Sequence, residues 1–230
     1  MTAPEPEREL ARSIIREHYQ RNDPTGWFES LYSRANGSAE PIPWADQKPN
    51  PHLIQWLDRE QISGVDRRAV VVGCGLGDDA DALASRGFKV TGFDISPTAI
   101  EWARRRFSNS KINFEVADLL KLPGNLRHAF DFVFEAYTVQ ALPRSLREQA
   151  IAGVASLVAP AGSLLVVCRG REDDEPEGEL PWPLSHAELR LFERDGLVRK
   201  QFENFHEQRD EGLVRRFRAV FCQLRASRVK

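Results

Sequence analysis

Three glycines at alternate positions, Gly73, Gly75 and Gly77, directly follow the β-branched run Val70–Val72. Asp78 and Asp79 come next, and a second apolar run, Phe88–Phe93, ends on Asp94. Strand, bare glycine turn and helix start together make an anion- or nucleotide-binding loop at the carboxyl edge of a parallel sheet. The spacing discriminates among ligands. The dinucleotide fingerprint G-x-G-x-x-G puts its third glycine where this chain has Asp78, and no Gly-Lys-Ser/Thr follows to make a P-loop. Carboxylates in the first helical turn favour the positive end of the helix dipole and would repel a pyrophosphate there. Asp94 lies about 20 residues beyond Gly73, where nucleoside-binding α/β folds carry a ribose-binding carboxylate. A nucleoside with little or no phosphate meets these conditions. S-adenosylmethionine, an adenosine with a cationic sulfonium and an amino-acid tail, is therefore the expected ligand. The bland alternative is a tight turn with Asp94 as a helix cap.

The elements that must hold these residues alternate from residue 69 onward. Short apolar runs at Val70–Val72, Phe88–Phe93, "KINFEV", "AFDFVFEAY" and "GSLLVVCR" are separated by helical patterns at Asp78–Ser85, Ser96–Phe107 and "RSLREQAIAGVASLV". Ser96 and Pro97 give the second of these helices a cap and a first-turn proline. Continuous apolar strands between amphipathic helices predict an α/β fold, a parallel sheet covered on both faces. The ending differs: "SHAELRLFERDG" is a short capped helix, and Leu197–Phe205 with Val214–Leu224, joined by "HEQRDEGL", predicts a C-terminal antiparallel hairpin on the sheet's edge. The first 60 residues hold three helical patterns around the proline-rich "NGSAEPIPWADQKPNP". They are too few for a core of their own and are expected to cap the main domain, residues 61–230.

Composition excludes several classes of function. The chain has 230 residues, 41% hydrophobic and 29% charged, with a formal net charge of −2, which gives no general affinity for nucleic acid or anionic membrane. Cys74, Cys168 and Cys222 are far apart and show no metal spacing, so a reducing cytoplasm is expected and no metal. The start "MTAPEPEREL" lacks the apolar stretch of a signal peptide. Ala150–Val167 carries no charge, but "APAG" breaks it into a helix, a turn and a buried strand rather than a membrane span.

The stretch "VVVGCGLGDDADALASRGFKVTGFDISPTAIEWAR" resembles class I S-adenosylmethionine-dependent methyltransferases, in particular the thiopurine, thiol and halide group and the tellurite-resistance enzymes. "IPWADQKPNPHLIQWL" and "FDFVFEAYTVQALPRSLREQAIAGVASLVAPAGSLLVV" extend the likeness to the thiol and halide enzymes. The resemblance implies a Rossmann-like, doubly wound, mainly parallel seven-stranded sheet with helices on both faces. It implies that Gly73, Cys74, Gly75 and Gly77 line the methionine and ribose end of the cofactor. Asp94 would hold the ribose hydroxyls, Ile95 and Leu119 would pack at the adenine, and Asp118 would accept from the adenine amino group. Glu135 would lie beneath the methyl group, touching cofactor and reaction alike, with Tyr137 on the acceptor side.

Methyl transfer from a sulfonium asks the protein to align the nucleophile, exclude water and, for some acceptors, remove a proton. A thiol or other soft heteroatom needs no strong base. No His–Asp pair stands beside the fourth strand, and "FEAY" occupies the place of the motif for base amino methylation. The basic runs "ARRRF" and "VRRFRA" are expected to be solvated faces. The expected partner is a small-molecule acceptor, not nucleic acid or membrane, and the expected state is a monomer or a weak homodimer. Trp27, Trp44, Tyr137 and Trp182 are candidates for the acceptor pocket, and Trp56, at helical spacing, for the core. Arg144 and Arg147 follow the fourth strand and could meet an anionic acceptor. The acidic loop "REDDEPEGELPWP" departs from the thiol and halide enzymes. A methyltransferase of a peptide or larger natural product is the alternative, and an NAD- or nucleoside-binding protein a more distant one.

Overall fold

Alternation along each strand divides the buried side chains between two sheet faces. Val70, Val72, Val133 and Leu164 face one way, and Ala69, Val71, Phe132, Phe134 and Leu165 the other. This is the signature of a sheet buried on both sides. The computed structural model describes residues 5–178, 180–194, 196–209 and 212–223. The strands are β1 (Arg68–Val72), β2 (Lys89–Asp94), β3 (Asn113–Val116), β4 (Phe130–Ala136), β5 (Val158–Arg171), β6 (Leu184–Ser185), β7 (Leu197–Arg209) and β8 (Gly212–Gln223). They follow the order β3-β2-β1-β4-β5-β8-β7, with the short β6 pairing the end of β5. The first five are parallel, whereas β8 runs antiparallel between β5 and β7.

Among the described residues, seven α-helices accompany the sheet. α3 (Pro51–Arg59), α4 (Asp78–Ala84) and α5 (Pro97–Arg106) cover one face, where Leu53, Trp56, Leu83 and Ile100 pack on the strands. α6 (Arg144–Ser156) and α7 (His186–Arg190) cover the other through Ile151, Val154 and Leu189. Local chemistry sets their starts. Asn50 caps α3 ahead of Pro51, Ser96 caps α5 ahead of Pro97, and Ser185 with Glu188 forms a capping box on α7. α1 (Glu5–Gln20) and α2 (Gly26–Arg34) pack on each other through Ala11, Ile14, Ile15, Trp27 and Leu31, while Tyr32 of α2 joins Leu76 and Trp102. Among the described residues, no helix is long and apolar enough to cross a membrane.

Three local expectations need correction. "APAG" is a kink within one strand: β5 begins at Val158, Ala161 has φ of 63°, and the register with β4 slips between Phe130 and Phe132. The pairing resumes because Ser163 onward can bury on both faces. The hairpin strands are longer than expected, since much of "HEQRDEGL" pairs, with Asp210 and Glu211 outside the described residues, as is Leu224. Finally, β8, which carries "VRRFRA", lies inside the sheet and β7 is the edge.

Candidate active site

The strand order reverses direction at β1, whose neighbours are β2 and β4, and a crevice opens at the carboxyl ends of such strands. A cleft of about 680 Å³ lies there, within the range that holds small molecules and cofactors. Its floor is the glycine loop. Gly73 and Gly75 have φ of 57° and 50°, a left-handed conformation that side chains rarely adopt. A Cβ on Gly73 would come 2.4 Å from the Thr138 hydroxyl, and one on Gly75 would come 2.9 Å from that of Tyr32. Gly77 does not line the cleft. It caps α4 at φ 92°, and a Cβ there would strike the Phe114 ring at 2.8 Å, so its bareness serves helix–sheet packing.

Asp94 lines the cleft at the end of β2 and is 7% exposed. One carboxylate oxygen accepts from the Gly75 amide at 3.0 Å and the other from the Ser96 amide at 2.9 Å. Burial raises its pKa, against the backbone donors that favour the anion. Cys74, Ile95, Asp118 and Leu119 also line this half. Asp118 caps the turn after β3 by accepting from the Leu120 amide at 2.8 Å. Asp78 is held by Arg106 through two contacts of 2.6 and 2.7 Å, which accounts for one of the two helix-start charges. Asp79 accepts from the Asn50 amide at 2.6 Å, and burial lifts its pKa from 3.8 to about 7.

α2 and the loop after it form the roof. Trp27 is 1% exposed, stacks on Phe28 at 3.7 Å and meets Trp44 edge-on at 5.9 Å; all three line the cleft. Trp44 donates to the Tyr32 hydroxyl at 2.8 Å. Glu29, on the same helix, accepts from both hydroxyls of Ser96 and Thr98 at 2.6 Å and from the Thr98 amide at 3.1 Å. This fastens the roof to the start of α5, two residues from Asp94. Burial pushes the Glu29 pKa up, but these hydrogen bonds outweigh it and leave it below the usual range.

Several expected site residues are placed otherwise. Glu135 is fully buried and absent from the cleft wall: it shares the face of Val133, and one oxygen accepts from the Thr138 and Val139 amides at 2.9 and 3.0 Å. The other oxygen has no hydrogen-bond partner among the described residues, and burial raises the pKa from 4.5 to about 7. Trp182 stands beside the cleft, between Tyr19 and the Arg147 guanidinium, while its neighbours Pro181 and Pro183 line it. Arg147 is buried on Glu188 and the Leu142 carbonyl, and Arg144 pairs with Glu177 on the surface. Trp56 is in the core, stacked on Phe132 at 5.6 Å.

Tyr137 does line the cleft, at φ 64° just past β4, with the Arg216 guanidinium 5.2 Å from its ring centre. Burial raises its pKa, so it remains a phenol at neutral pH. Arg216 belongs to "VRRFRA", which is not a solvated face: Arg215 binds Glu172 and Glu175, Arg216 binds Glu207 and Arg218 binds Glu203. In "ARRRF" likewise, Arg104 and Arg106 hold the Phe114 and Leu76 carbonyls. Arg169, Arg209 and Arg216 line the cleft beyond Tyr137. Sequence reading missed them, together with Glu29, Phe28 and Tyr32. No group of three metal-capable side chains occurs among the described residues.

Residues 69–162 match the family described as a methyltransferase domain. The 2-heptyl-1-hydroxyquinolin-4(1H)-one methyltransferase of Mycobacteroides abscessus is 27% identical over 169 residues, 71% of this chain and 72% of that one. A probable thiol methyltransferase 2 of Arabidopsis thaliana is 28% identical over 182 residues, 77% of this chain and 75% of its own. The N-methyltransferase NodS of Bradyrhizobium japonicum, solved with S-adenosylhomocysteine, superposes with a TM-score of 0.65 at 19% identity, covering 85% of this chain and 97% of that one. Residues 69–162 thus carry a methyltransferase domain, and most of the chain shares its fold with NodS. The chain is an enzyme of small sequence likeness to these relatives.

Proposed function

We propose that this enzyme methylates a small-molecule nucleophile in the cytoplasm, with a thiol or another soft heteroatom as the leading acceptor. The observation that carries the proposal is the cleft itself. Its β1–β3 half presents bare backbone and the carboxylates of Asp78, Asp79, Asp94 and Asp118, while the part beyond Tyr137 combines aromatic rings, prolines and aliphatic side chains with Arg169, Arg209 and Arg216 under a helical roof. Such a chamber suits a small acceptor better than an extended polymer.

The residues of the first half fit the cofactor. Asp94 would accept from the ribose hydroxyls, Asp118 from the adenine amino group, with Ile95 and Leu119 on either side of the base and Gly73, Cys74 and Gly75 along the amino-acid tail. When bound, the cofactor supplies an electrophilic methyl group and a neutral leaving thioether. What remains for the chain is alignment and exclusion of water, and alignment alone is worth roughly 7–11 kcal/mol. Residues 1–60 serve as the lid: Trp27, Phe28 and Trp44 close over the acceptor, and Glu29 holds the lid to the start of α5, two residues past Asp94. Tyr137 orients the acceptor as a hydrogen-bonding phenol. Two relatives named for a hydroxyquinolinone and a thiol acceptor support a small, polarisable nucleophile.

The test is S-adenosylhomocysteine release from purified protein with S-adenosylmethionine and a panel of small thiols, iodide, a thiopurine, phenols, amines and a peptide pool. Release with a small acceptor is expected. Release with the peptide pool alone would overturn the proposal.

A further inference from the structure

The acidic loop singled out in the sequence divides in the fold. Its charged part is engaged in ion pairs: Asp173 with Arg190, Glu177 with Arg144, and Glu172 and Glu175 with Arg215. Its far end turns inward, where Leu180, Pro181 and Pro183 line the cleft. The Trp182 amide donates to the Gln140 carbonyl at 3.0 Å, and the Trp182 ring centre lies 6.3 Å from that of Tyr19 on α1. The end of the loop is thereby held against α1 and the turn after β4.

What gathers there is apolar. Ala11 and Ile15 of α1, Trp27 and Phe28 of α2, Ala141 in the turn after β4 and Leu180 of the loop pack in one cluster, and all six line the cleft. Phe28, Ala141 and Leu180 are only partly buried, so the cluster presents an apolar wall to the cleft. Its one polar side-chain group is the Trp27 indole N–H, which is given to the Pro24 carbonyl at 3.0 Å. α1 also brings the exposed Arg12 to the cleft. The wall is continuous with the acceptor chamber, because Trp27 and Phe28 both meet Trp44 edge-on, at 5.9 and 6.2 Å.

We propose that these six residues form a subsite for an apolar tail carried by the acceptor, which runs from a nucleophilic head beside Tyr137 outward between α1 and the end of the loop; this rests on the methyltransferase reading above. The physical reason is that a wall without free donors or acceptors returns nothing to a polar group taken from water, whereas covering it with hydrocarbon is favourable. A halide ion or a thiol of one or two carbons reaches the head position and leaves the wall wet. The substrate class is therefore amphiphilic: a thiol or other heteroatom nucleophile bearing an alkyl or aryl chain of several carbons. Each methylene laid on the wall is expected to raise affinity about threefold to fourfold.

The test is a homologous series, 4-methyl-, 4-propyl-, 4-pentyl- and 4-heptylthiophenol. Each is titrated calorimetrically into protein saturated with S-adenosylhomocysteine, for the parent chain and for Ala141→Phe, which fills the subsite, and Leu180→Gln, which makes its wall polar. In the parent, affinity should climb about threefold to fourfold per methylene until the wall is covered. In Ala141→Phe the climb should stop at a shorter chain, and in Leu180→Gln it should be shallower, with S-adenosylhomocysteine affinity unchanged in both. Affinity that is flat in chain length, binding of no homologue, or the same climb in parent and both variants overturns the inference. A fall in S-adenosylhomocysteine affinity in both variants also overturns it, by assigning the wall to the cofactor. Failure of the parent chain to bind S-adenosylhomocysteine would instead overturn the cofactor reading beneath it.

Discussion

Glu135 separates what a residue's position says from what its side chain does. The resemblance places it at the end of β4, beside the reacting centre, and in the fold it takes the face of Val133. Only the chain's turn at Thr138 and Val139 reveals that this face is closed, with one oxygen capping the turn and the other buried without a partner among the described residues. The folded protein holds this proton more tightly than the unfolded chain, so the linked stability is largest at low pH. It falls as pH rises from about 4.5 to about 7 and levels off above. Asp79 acts in the same direction over a similar window. Glu135→Gln, which mimics the protonated acid, is expected to raise Tm at pH 8 by a few degrees and to flatten, without abolishing, its fall between pH 5 and 8. Melting curves at the two pH values check this, and an unchanged slope would contradict it. The place of Asp94 at the end of β2, on the cleft wall, was by contrast legible from spacing alone, because a carboxylate about 20 residues beyond the glycine turn is placed by one strand–helix–strand unit.

At the scale of elements, the capped helices α5 and α7 were legible because a cap needs only a few consecutive residues. Ser96 and Pro97 mark one start, and Ser185 with Glu188 the other. The kink at Ala161 and the arginine cluster were not, since both depend on partners distant in the chain. Glu29 is of the second kind: nothing in "GWFESLYSRA" announces that it will reach Ser96 and Thr98. Glu29→Ala removes three hydrogen bonds to a charged acceptor and is expected to cost about 1.5–3 kcal/mol in the attachment of the roof. Amide hydrogen exchange should then quicken across α2 while β1 and β4 stay protected. Equal protection of α2 in parent and variant would show that aromatic packing alone holds the roof. Because its hydrogen bonds leave the Glu29 pKa low, this attachment is present at neutral pH and weakens only in acid, as pH falls through that lowered pKa.

For the whole molecule, two cores on either side of one sheet make the site rigid where the strands end. Trp56 joins α3 to that architecture by stacking on Phe132 and by donating to Gln201 on β7 at 3.1 Å. Trp56→Ala is expected to cost about 3–5 kcal/mol in denaturant unfolding, a cavity effect remote from the cleft. A loss under 1 kcal/mol would mean that α3 is not part of the cooperative unit. The layered α/β class followed from alternating periodicities, whereas the position of β8 inside the sheet, and with it the place of Arg216 on the cleft wall, followed only from the folded chain.

The most direct test of the whole account is calorimetric titration of S-adenosylhomocysteine, with NAD in parallel, into the parent chain and Asp94→Ala. The account predicts binding of S-adenosylhomocysteine and not of NAD, weakened at least about tenfold in a folded Asp94→Ala variant. Binding of NAD without S-adenosylhomocysteine, or an affinity indifferent to the loss of Asp94, would contradict it.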